Sequence, residues 1–260
     1  MKPIRKYPRT RHLVGSRLQA GDEDLEAVAM SELAGRHVVI EEKMDGANSG
    51  LSFDDTGRVW LQSRGHYLTG GPRERQFNLF KQWAAVRSEP LFERLGTRHI
   101  AYGEWLYAKH TVWYDALPHY WMEFDILDTE TGEFLDTPRR AELLDGLAVV
   151  PVRVLYSGEF PGEEALIEMV AESAFRTAHA RERLIEDVQA AGWDVETALR
   201  QTDPTDLMEG LYIKIEEDGI VRDRFKWVRR DFIQKLTEEG HWQDRPLIPN
   251  RLADDVDLFG

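Results

Sequence analysis

A lysine followed by a turn is the first candidate for chemistry in this chain. Lys43 stands in the tetrapeptide Lys43-Met44-Asp45-Gly46, at the end of a strand predicted over 37–43. A lysine amine is nucleophilic only when deprotonated, which requires burial or neighbouring cations that lower its pKa. Gly46 permits a tight turn beside it. Lys43 is therefore a candidate covalent nucleophile, although the tetrapeptide alone is also typical of a surface lysine before a turn.

Five further segments place charged side chains on predicted strands. Alternation along a strand points every second side chain to the same face, so several of these charges are expected to face inward. Inward charges cost free energy unless a ligand of mixed charge compensates them. A nucleoside triphosphate with a divalent metal is such a ligand. The segments are Ser63-Arg64-Gly65, Tyr102-Gly103-Glu104, Glu123-Phe124-Asp125-Ile126, Glu209-Gly210-Leu211-Tyr212-Ile213-Lys214 and Arg224-Phe225-Lys226-Trp227.

Most elements that position these segments are predicted strands. Helices are predicted over 76–87 and 138–144, where Thr137 before Pro138 is a typical helix start. Apolar and polar residues alternate in several segments that are separated by turn residues, and this pattern predicts strands. The predicted strands are 37–43, 50–53, 59–64, 99–107, 120–127, 149–155, 207–216 and 220–228.

The stretch 162–200 has a different character. It is rich in Ala, Glu and Arg, and its apolar residues recur at spacings of three and four, which predicts two or three helices. A last short helix is predicted over 231–239. We therefore expect an α+β fold with one domain over 1–230, a helical insertion at 162–200 and a short helical appendage over 231–260.

The overall charge points away from nucleic acid, but its distribution does not. The chain has 33 Lys+Arg against 47 Asp+Glu, a net charge of −14, whereas binding to nucleic acid depends on cations that neutralise phosphates. Residues 1–20 nevertheless carry six basic side chains and no acid, and a second basic run lies at 222–230. Each run is typical either of an ordinary solvated face or of a local region that meets phosphates.

Two absences in the sequence narrow the class of protein. With no cysteine, disulfide frameworks, thiol nucleophiles and cysteine zinc sites are excluded. No apolar run approaches the length of a membrane span. The sequence therefore predicts a soluble cytoplasmic protein that has no membrane partner.

Taken in order, the charged segments resemble motifs I, Ia, III, IIIa, IV and V of the covalent nucleotidyltransferase superfamily, which contains polynucleotide ligases and mRNA capping enzymes. The resemblance extends from Glu42 to Trp227, and it is specific as an ordered series. Its details are most similar to ATP-dependent RNA ligases of the RNA ligase 2-like group, in Glu42 before the lysine, Asn48 after it and the Lys-Trp-Val-Arg sequence at 226–229. The implied fold is an ATP-grasp-like ligase adenylation domain of antiparallel sheets with flanking helices.

This resemblance implies a reaction in three steps. Lys43 attacks the α-phosphate of ATP and forms a lysyl-AMP, the AMP passes to a 5′-phosphate end, and a 3′-hydroxyl displaces AMP to seal the strand. Each step is a phosphoryl transfer, in which positioning and charge stabilisation provide most of the catalysis. The implied substrate is nicked or broken RNA, or an RNA/DNA hybrid, and we expect a monomer.

The resemblance also implies a role for each matching residue. Glu42 receives the adenine amino group, Phe124 stacks on adenine, and Glu104 accepts a hydrogen bond from the ribose. Asn48 also belongs to the ATP site. A metal ion, Mg2+ or Mn2+, is assigned to Glu209, with Glu104 as a second carboxylate. The phosphates are assigned to Arg64, Lys214, Arg224 and Lys226, with Lys226 nearest the α-phosphate.

Two features of the chain separate the alternatives. Only 33 residues follow Trp227, so no OB-fold is expected there, which favours a compact RNA ligase. Arg224 stands where many ligases have a lysine. A minimal ATP-dependent DNA ligase and a non-catalytic factor that binds nucleotides or strand ends remain the alternatives.

A loop after motif III is open to two interpretations. It contains Lys109, His110, Trp113 and Tyr114. Cationic and aromatic side chains of this kind can stack on bases, but a mobile surface loop is the interpretation we favour from the sequence.

Overall fold

Two five-stranded sheets carry all of the motif segments. The computed structural model describes residues 3–19, 21–22, 24–233 and 247–259, except for the side chain of Arg73. Within these residues the strands are β1 Arg11–His12, β2 His37–Glu42, β3 Ala47–Phe53, β4 Val59–Ser63, β5 His99–Trp105, β6 Trp121–Asp128, β7 Val150–Pro151, β8 Val154–Glu159, β9 Gly210–Glu217 and β10 Ile220–Val228.

The first sheet has the order β1-β10-β9-β2-β8, and the second has the order β4-β3-β5-β6-β7. Neighbouring strands are antiparallel except for two pairs, β1 with β10 and β6 with β7, which are parallel. The mixed α+β fold class expected from the sequence is confirmed. The described part of the chain contains no closed barrel.

Six α-helices flank the sheets in the described residues, and two 3-10 turns lie at 30–33 and 72–77. Phe80 and Trp83 of α1 are buried in the apolar core that covers one face of the second sheet. Asp136 caps α3, because its side chain accepts the backbone N–H of Arg139 at 3.1 Å. The helices are α1 Asn78–Val86, α2 Ser88–Leu95, α3 Thr137–Leu144, α4 Glu163–Glu168, α5 Ala180–Ala190 and α6 Val195–Arg200.

The structure corrects two of the predicted elements. The single strand predicted over 149–155 is two strands in different sheets, since β7 pairs with β6 while β8 pairs with β2. Alternation of residue types along a strand does not reveal which other strand it will pair with. Helix α2 is not among the predicted elements, and it contains Pro90. This proline lies in the first turn of α2, where a backbone N–H has no partner in the helix.

The stretch predicted to be helical at 162–200 contains α4, α5 and α6. The helix predicted over 231–239 falls mostly outside the described residues. Among the residues that the structure does describe, no helix is long and apolar enough to span a membrane.

Alternation on β9 and β10 produces one apolar and one polar face. Leu211, Ile213 and Phe225 belong to an apolar core on one side of the first sheet. Lys214 and Arg224, at the intervening positions, lie on the opposite side and approach the second sheet. The inward charges expected from the sequence are therefore real, and they lie between the two sheets.

A cluster of buried charges connects the two sheets. At its centre is Asp125 on β6, which lies 3.4 Å from Lys214 and 3.3 Å from Arg224. Arg140 of α3 approaches Glu41 at 3.3 Å, and it approaches Glu123 and Asp125 at 3.7 Å each. Three carboxylates thus face three cations in a region from which water is excluded. Lys214 also donates a hydrogen bond to Glu41 at 2.9 Å.

Burial acts differently on Glu123 and Asp125, two of the three acids of β6. The pKa of Asp125 lies below its usual value, because Lys214, Arg224 and Arg140 together outweigh the effect of burial. Burial raises the pKa of Glu123 to about 7, against the attraction of Arg140 and Lys214. Neither carboxylate oxygen of Glu123 has a hydrogen-bond partner. Asp125 therefore stabilises the cluster as an anion, whereas the charge on Glu123 is held at a cost.

Replacement of Asp125 should destabilise the fold strongly. Asp125→Ala leaves three cations without a central anion, and loss of one member of a buried ion pair costs about 3–5 kcal/mol. The matched control is Glu217→Ala, which breaks a solvent-accessible pair with Arg36 and should cost much less, because water screens that pair. Urea denaturation measures both. Equal losses would contradict a central role for Asp125.

Replacement of Glu123 should change how stability depends on pH. The folded-state pKa of about 7 exceeds the ordinary value of 4.5, so wild-type stability falls as pH rises between these values. Glu123→Gln removes this loss. The variant should gain stability relative to wild type between pH 5 and pH 8, by at most about 3 kcal/mol. Denaturation at both pH values tests this, and a difference that does not change with pH would exclude it.

Candidate active site

A cavity of about 1520 Å³ opens between the two sheets. Most of the residues predicted for the nucleotide site line this cavity, and they come from both sheets and from the turn after β2. Three predicted residues, Lys214, Arg224 and Glu209, are not part of its lining. The predicted residues that line it are Glu42, Lys43, Asn48, Arg64, Glu104, Phe124 and Lys226.

Lys43 directly follows β2 and pairs with Glu209. Its Nζ lies 2.8 Å from Oε1 of Glu209, and its side chain is 18% exposed. Burial alone would lower the pKa of Lys43, but the carboxylate of Glu209 raises it above the usual value. The amine is therefore a protonated ammonium in this resting arrangement.

Asp45 and Gly46 hold the turn that carries Lys43. The carboxylate of Asp45 accepts the backbone N–H groups of Thr111 and Val112 at 2.7 Å each. A Cβ on Gly46 would lie 2.7 Å from the carbonyl oxygen of Trp105, so a larger residue does not fit. Gly46 is thus required for close approach of two backbone segments.

The same turn places Glu104 near the lysine. The backbone N–H of Gly46 donates to Oε1 of Glu104 at 3.2 Å. Burial raises the pKa of Glu104 to about 8, although Lys43 and Arg64 oppose that rise. A carboxyl group that is so poorly solvated is stabilised when a hydrogen-bond donor or a cation binds to it.

Glu42 and Phe124 line the cavity with complementary chemistry. Ser173, from the predicted insertion, donates a hydrogen bond to Oε1 of Glu42, while Oε2 is buried without a partner. Phe124 is the extra residue of a β-bulge, since Glu123 and Asp125 pair with successive residues of β5. Such a bulge redirects a side chain. The ring of Tyr7 packs edge-on against Phe124, at 5.0 Å between centroids.

Lys214 and Arg224 lie in the charge cluster behind this cavity. Lys214 is fully buried and contacts Glu41 and Asp125. The guanidinium of Arg224 pairs with Asp125 and lies 4.1 Å from the centroid of the Phe134 ring. Alternation correctly predicted that both side chains face inward, but in this structure they contact carboxylates that the sequence did not connect with them.

Glu209 is suited to contact a cation although it lies outside the lining. Its Oε1 accepts from Lys43 and Gln19, whereas its Oε2 is buried without a hydrogen-bond partner. Burial raises the pKa of Glu209 to about 7. Within the described ranges no group of three or more His, Cys, Asp or Glu side chains forms a metal cage. The arrangement fits Mg2+ or Mn2+ held by one or two carboxylates together with water and substrate oxygens.

Two basic side chains of the N-terminal region pair with acids in the structure. Arg9 pairs with Asp24 at 2.6 Å, and Arg11 pairs with Asp223 at 2.5 Å. Arg9 also lines the cavity, and so do Tyr7, Gln19 and Asp22. Sequence reasoning missed the last three residues, because they lie outside the predicted strands and match no motif.

The loop after β5 is also different from the expectation. Trp113 and Tyr114 are 1% exposed, so they belong to the core rather than to a mobile surface loop or a base-stacking surface. Lys109 donates hydrogen bonds to the carbonyls of His110 and Gln201, at 2.9 and 2.7 Å. His110 lines the cavity.

Comparisons with solved structures reveal the same fold in RNA ligases of Naegleria gruberi. One variant, solved with ATP and Mn, matches with a TM-score of 0.52 and 16% identity over 85% of this chain and 60% of that one. A variant without ligand matches with a TM-score of 0.51 and 17% identity over 76% and 51% of the two chains. The chain thus spans about half to three fifths of these structures.

A comparison with curated proteins returned no match. The family model described as RNA ligase matches residues 36–228, a region that contains Lys43, Glu104, Glu209 and Lys226. Since this region is well over half of the 260 residues, and the fold agrees with that of solved RNA ligases, the chain belongs to the RNA ligase family.

Proposed function

We propose that this protein is an ATP-dependent RNA ligase that works through a lysyl-AMP on Lys43. The observation that carries the proposal is the pairing of Lys43 with Glu209 at 2.8 Å, beside a cavity that Lys226 also lines. A nucleophile, a carboxylate able to bind a cation and a second ammonium are the groups that a phosphoryl transfer requires at one place.

The first step is a displacement at the α-phosphorus of ATP. The ammonium of Lys43 first loses a proton to water. The free amine then forms the N–P bond and releases a second proton to water, while the P–O bond to pyrophosphate breaks. Because the amine contacts Glu209 at rest, this contact must loosen before attack. Lys226 and Arg64 stabilise negative charge on the phosphates.

The next two steps transfer the nucleotide and seal the strand. An oxygen of a 5′-phosphate attacks the adenylate phosphorus and breaks the N–P bond, which restores Lys43. A 3′-hydroxyl then attacks the activated 5′-phosphate, a phosphodiester forms and AMP leaves. Nicked or broken RNA, or an RNA/DNA hybrid, is the proposed substrate.

Adenosine is assigned to the end of the cavity near Glu42 and Phe124. The buried, unpartnered Oε2 of Glu42 is a suitable acceptor for the adenine amino group. Phe124, supported by Tyr7, offers a ring for stacking. Glu104 is positioned for a ribose hydroxyl, and Asn48 lines the same cavity.

A divalent metal ion, Mg2+ or Mn2+, would be held by Glu209, with Glu104 as the second candidate carboxylate. When bound, such an ion supplies positive charge that stabilises the oxygens of the transferred phosphoryl group. The Naegleria gruberi ligase was solved with ATP and Mn, which supports a divalent metal ion as cofactor. We assign Lys214 and Arg224 an indirect part, as partners of Asp125 behind the site.

Membership of the RNA ligase 2-like group, a monomeric state and a cytoplasmic location stay predictions. So do the boundaries of the adenylation domain at 1–230, with its insertion at 162–200, and of the appendage at 231–260. A minimal DNA ligase and a non-catalytic binding factor are the competing functions, and the two experiments below separate them.

Removal of the Lys43 amine should abolish covalent labelling. Wild type incubated with α-labelled ATP and Mg2+ should retain label through denaturing electrophoresis, while Lys43→Ala should lose it by more than about 1000-fold, since no nucleophile remains. Lys81→Ala is the matched control, because Lys81 on α1 pairs with Glu74 and should label normally. GTP and NAD+ serve as parallel donors. An unlabelled wild type would favour a non-catalytic factor.

The sugar at the 3′ end of a nick should decide between RNA and DNA ligation. The same protein is offered nicks that differ only in a 3′-OH ribonucleotide or deoxyribonucleotide, and sealed product is measured on denaturing gels. We expect the ribonucleotide nick to be sealed at least about 10-fold faster, a difference of about 1.4 kcal/mol in activation free energy. Faster sealing of the all-DNA nick would support the DNA ligase alternative.

A further inference from the structure

The part of the chain that precedes the region matched by the RNA ligase family model, 36–228, is held at several points along the cavity. The carbonyl of Arg5 accepts hydrogen bonds from Tyr102 and Gln62, at 2.8 Å each. The hydroxyl of Tyr7 donates to Asp125, and β1 pairs with β10 so that His12 stands opposite Lys226. A segment held at several points can position the residues that follow it.

The end of this segment contacts two of the predicted active-site residues. Asp22 is 7% exposed, and its Oδ2 accepts a hydrogen bond from Nζ of Lys226. The amide of Gln19 donates to Oε1 of Glu209 and accepts from Nζ of Lys226 at 3.3 Å. Gln19 therefore bridges the cation and the carboxylate, while Asp22 holds the cation from another direction.

A buried relay holds Asp22 in place from behind. The backbone N–H of Val228 donates to Oγ of Ser16 at 2.8 Å, and Oγ of Ser16 lies 2.7 Å from Nδ1 of His12. Nε2 of His12 lies 3.3 Å from Asp22. Burial and the nearby Lys226 lower the pKa of His12, so its ring is neutral. A neutral ring that accepts at Nδ1 donates at Nε2, which directs its proton to Asp22.

Lys226 needs partners that hold its side chain in place, because the side chain is flexible and lies near a second cation. Lysine is a point charge on a flexible stem, and Lys43 presents a second ammonium to the same cavity. Burial, together with repulsion from Lys43, lowers the pKa of Lys226, and Asp22 opposes that effect. Without an anchor, the side chain of Lys226 has several rotamers through which to move away from Lys43.

We propose that Asp22 and Gln19 are positioning residues for nucleotidyl transfer, which hold Lys226 and Glu209 where the α-phosphate of ATP and its metal ion are received. This inference rests on the proposed function. It extends the site to residues before the matched region 36–228. Asp22 acts through Lys226, and Gln19 acts through both Lys226 and Glu209.

Single-turnover adenylylation at saturating ATP tests the proposal, since it separates the rate constant from the fraction of protein labelled. Misplacement of a group by about 1 Å can cost about 100-fold in rate. We expect Asp22→Ala to lower the rate constant by about 10- to 100-fold, with the labelled fraction unchanged. Asp22→Asn, which keeps an acceptor oxygen, should recover part of the rate. Gln19→Ala should lower the rate several-fold.

The matched control is Asp24→Ala. Asp24 lies two residues further along, its side chain is 70% exposed, and it pairs with Arg9 rather than with Lys226. Its rate constant and labelled fraction should equal those of wild type. Thermal melting of each variant accompanies the kinetics.

Three outcomes would overturn the positioning role. An unchanged or faster rate for Asp22→Ala would exclude it, and a faster rate would identify Asp22 as a competitor of phosphate for Lys226. A smaller labelled fraction with an unchanged rate constant would identify a purely structural residue. If wild type itself is not labelled, the proposed function fails together with this role, whereas a labelled wild type isolates failure of the role alone.

Discussion

The carboxylate of Asp125 is the group on which the arrangement of the molecule depends. It receives Lys214 from β9, Arg224 from β10 and the hydroxyl of Tyr7 from the N-terminal segment, and no part of it is exposed to solvent. These contacts cross from one sheet to the other, so they determine how far apart the two cavity walls stand. A buried anion of this kind is held only because several partners share its desolvation cost.

The cluster also explains how an acidic protein provides a site for phosphates. Carboxylates pair with several inward cations of the cluster, while Lys43, Arg64 and Lys226 are among the cations that line the cavity. Lys43 and Lys226 are themselves paired at rest, with Glu209 and Asp22. The net charge of −14 is thus compatible with cations that face the cavity, because few charges and short distances dominate the local potential.

Two carboxyl groups of the same site are poorly solvated. Burial raises the pKa of Glu104 to about 8 and that of Glu209 to about 7, so ionisation of either group at neutral pH is opposed by its surroundings. Oε2 of Glu209 has no hydrogen-bond partner in the resting protein, and under the proposed function a bound metal ion would supply one. Such buried acids lower the stability of the folded protein at positions that serve function. Burial of apolar side chains in the cores around the sheets compensates for that loss.

The strands with regular alternation, the order of the charged segments and the nucleophile candidate Lys43 could be predicted from the sequence, because period-two patterning and local motifs are properties of neighbouring residues. Only the tertiary structure paired Asp125 with Lys214, separated 149–155 into two sheets, turned Phe124 with a bulge and brought Asp22 to Lys226. Each of these depends on contacts between distant parts of the chain. Free energies of desolvation and pairing, which no local pattern records, select those contacts.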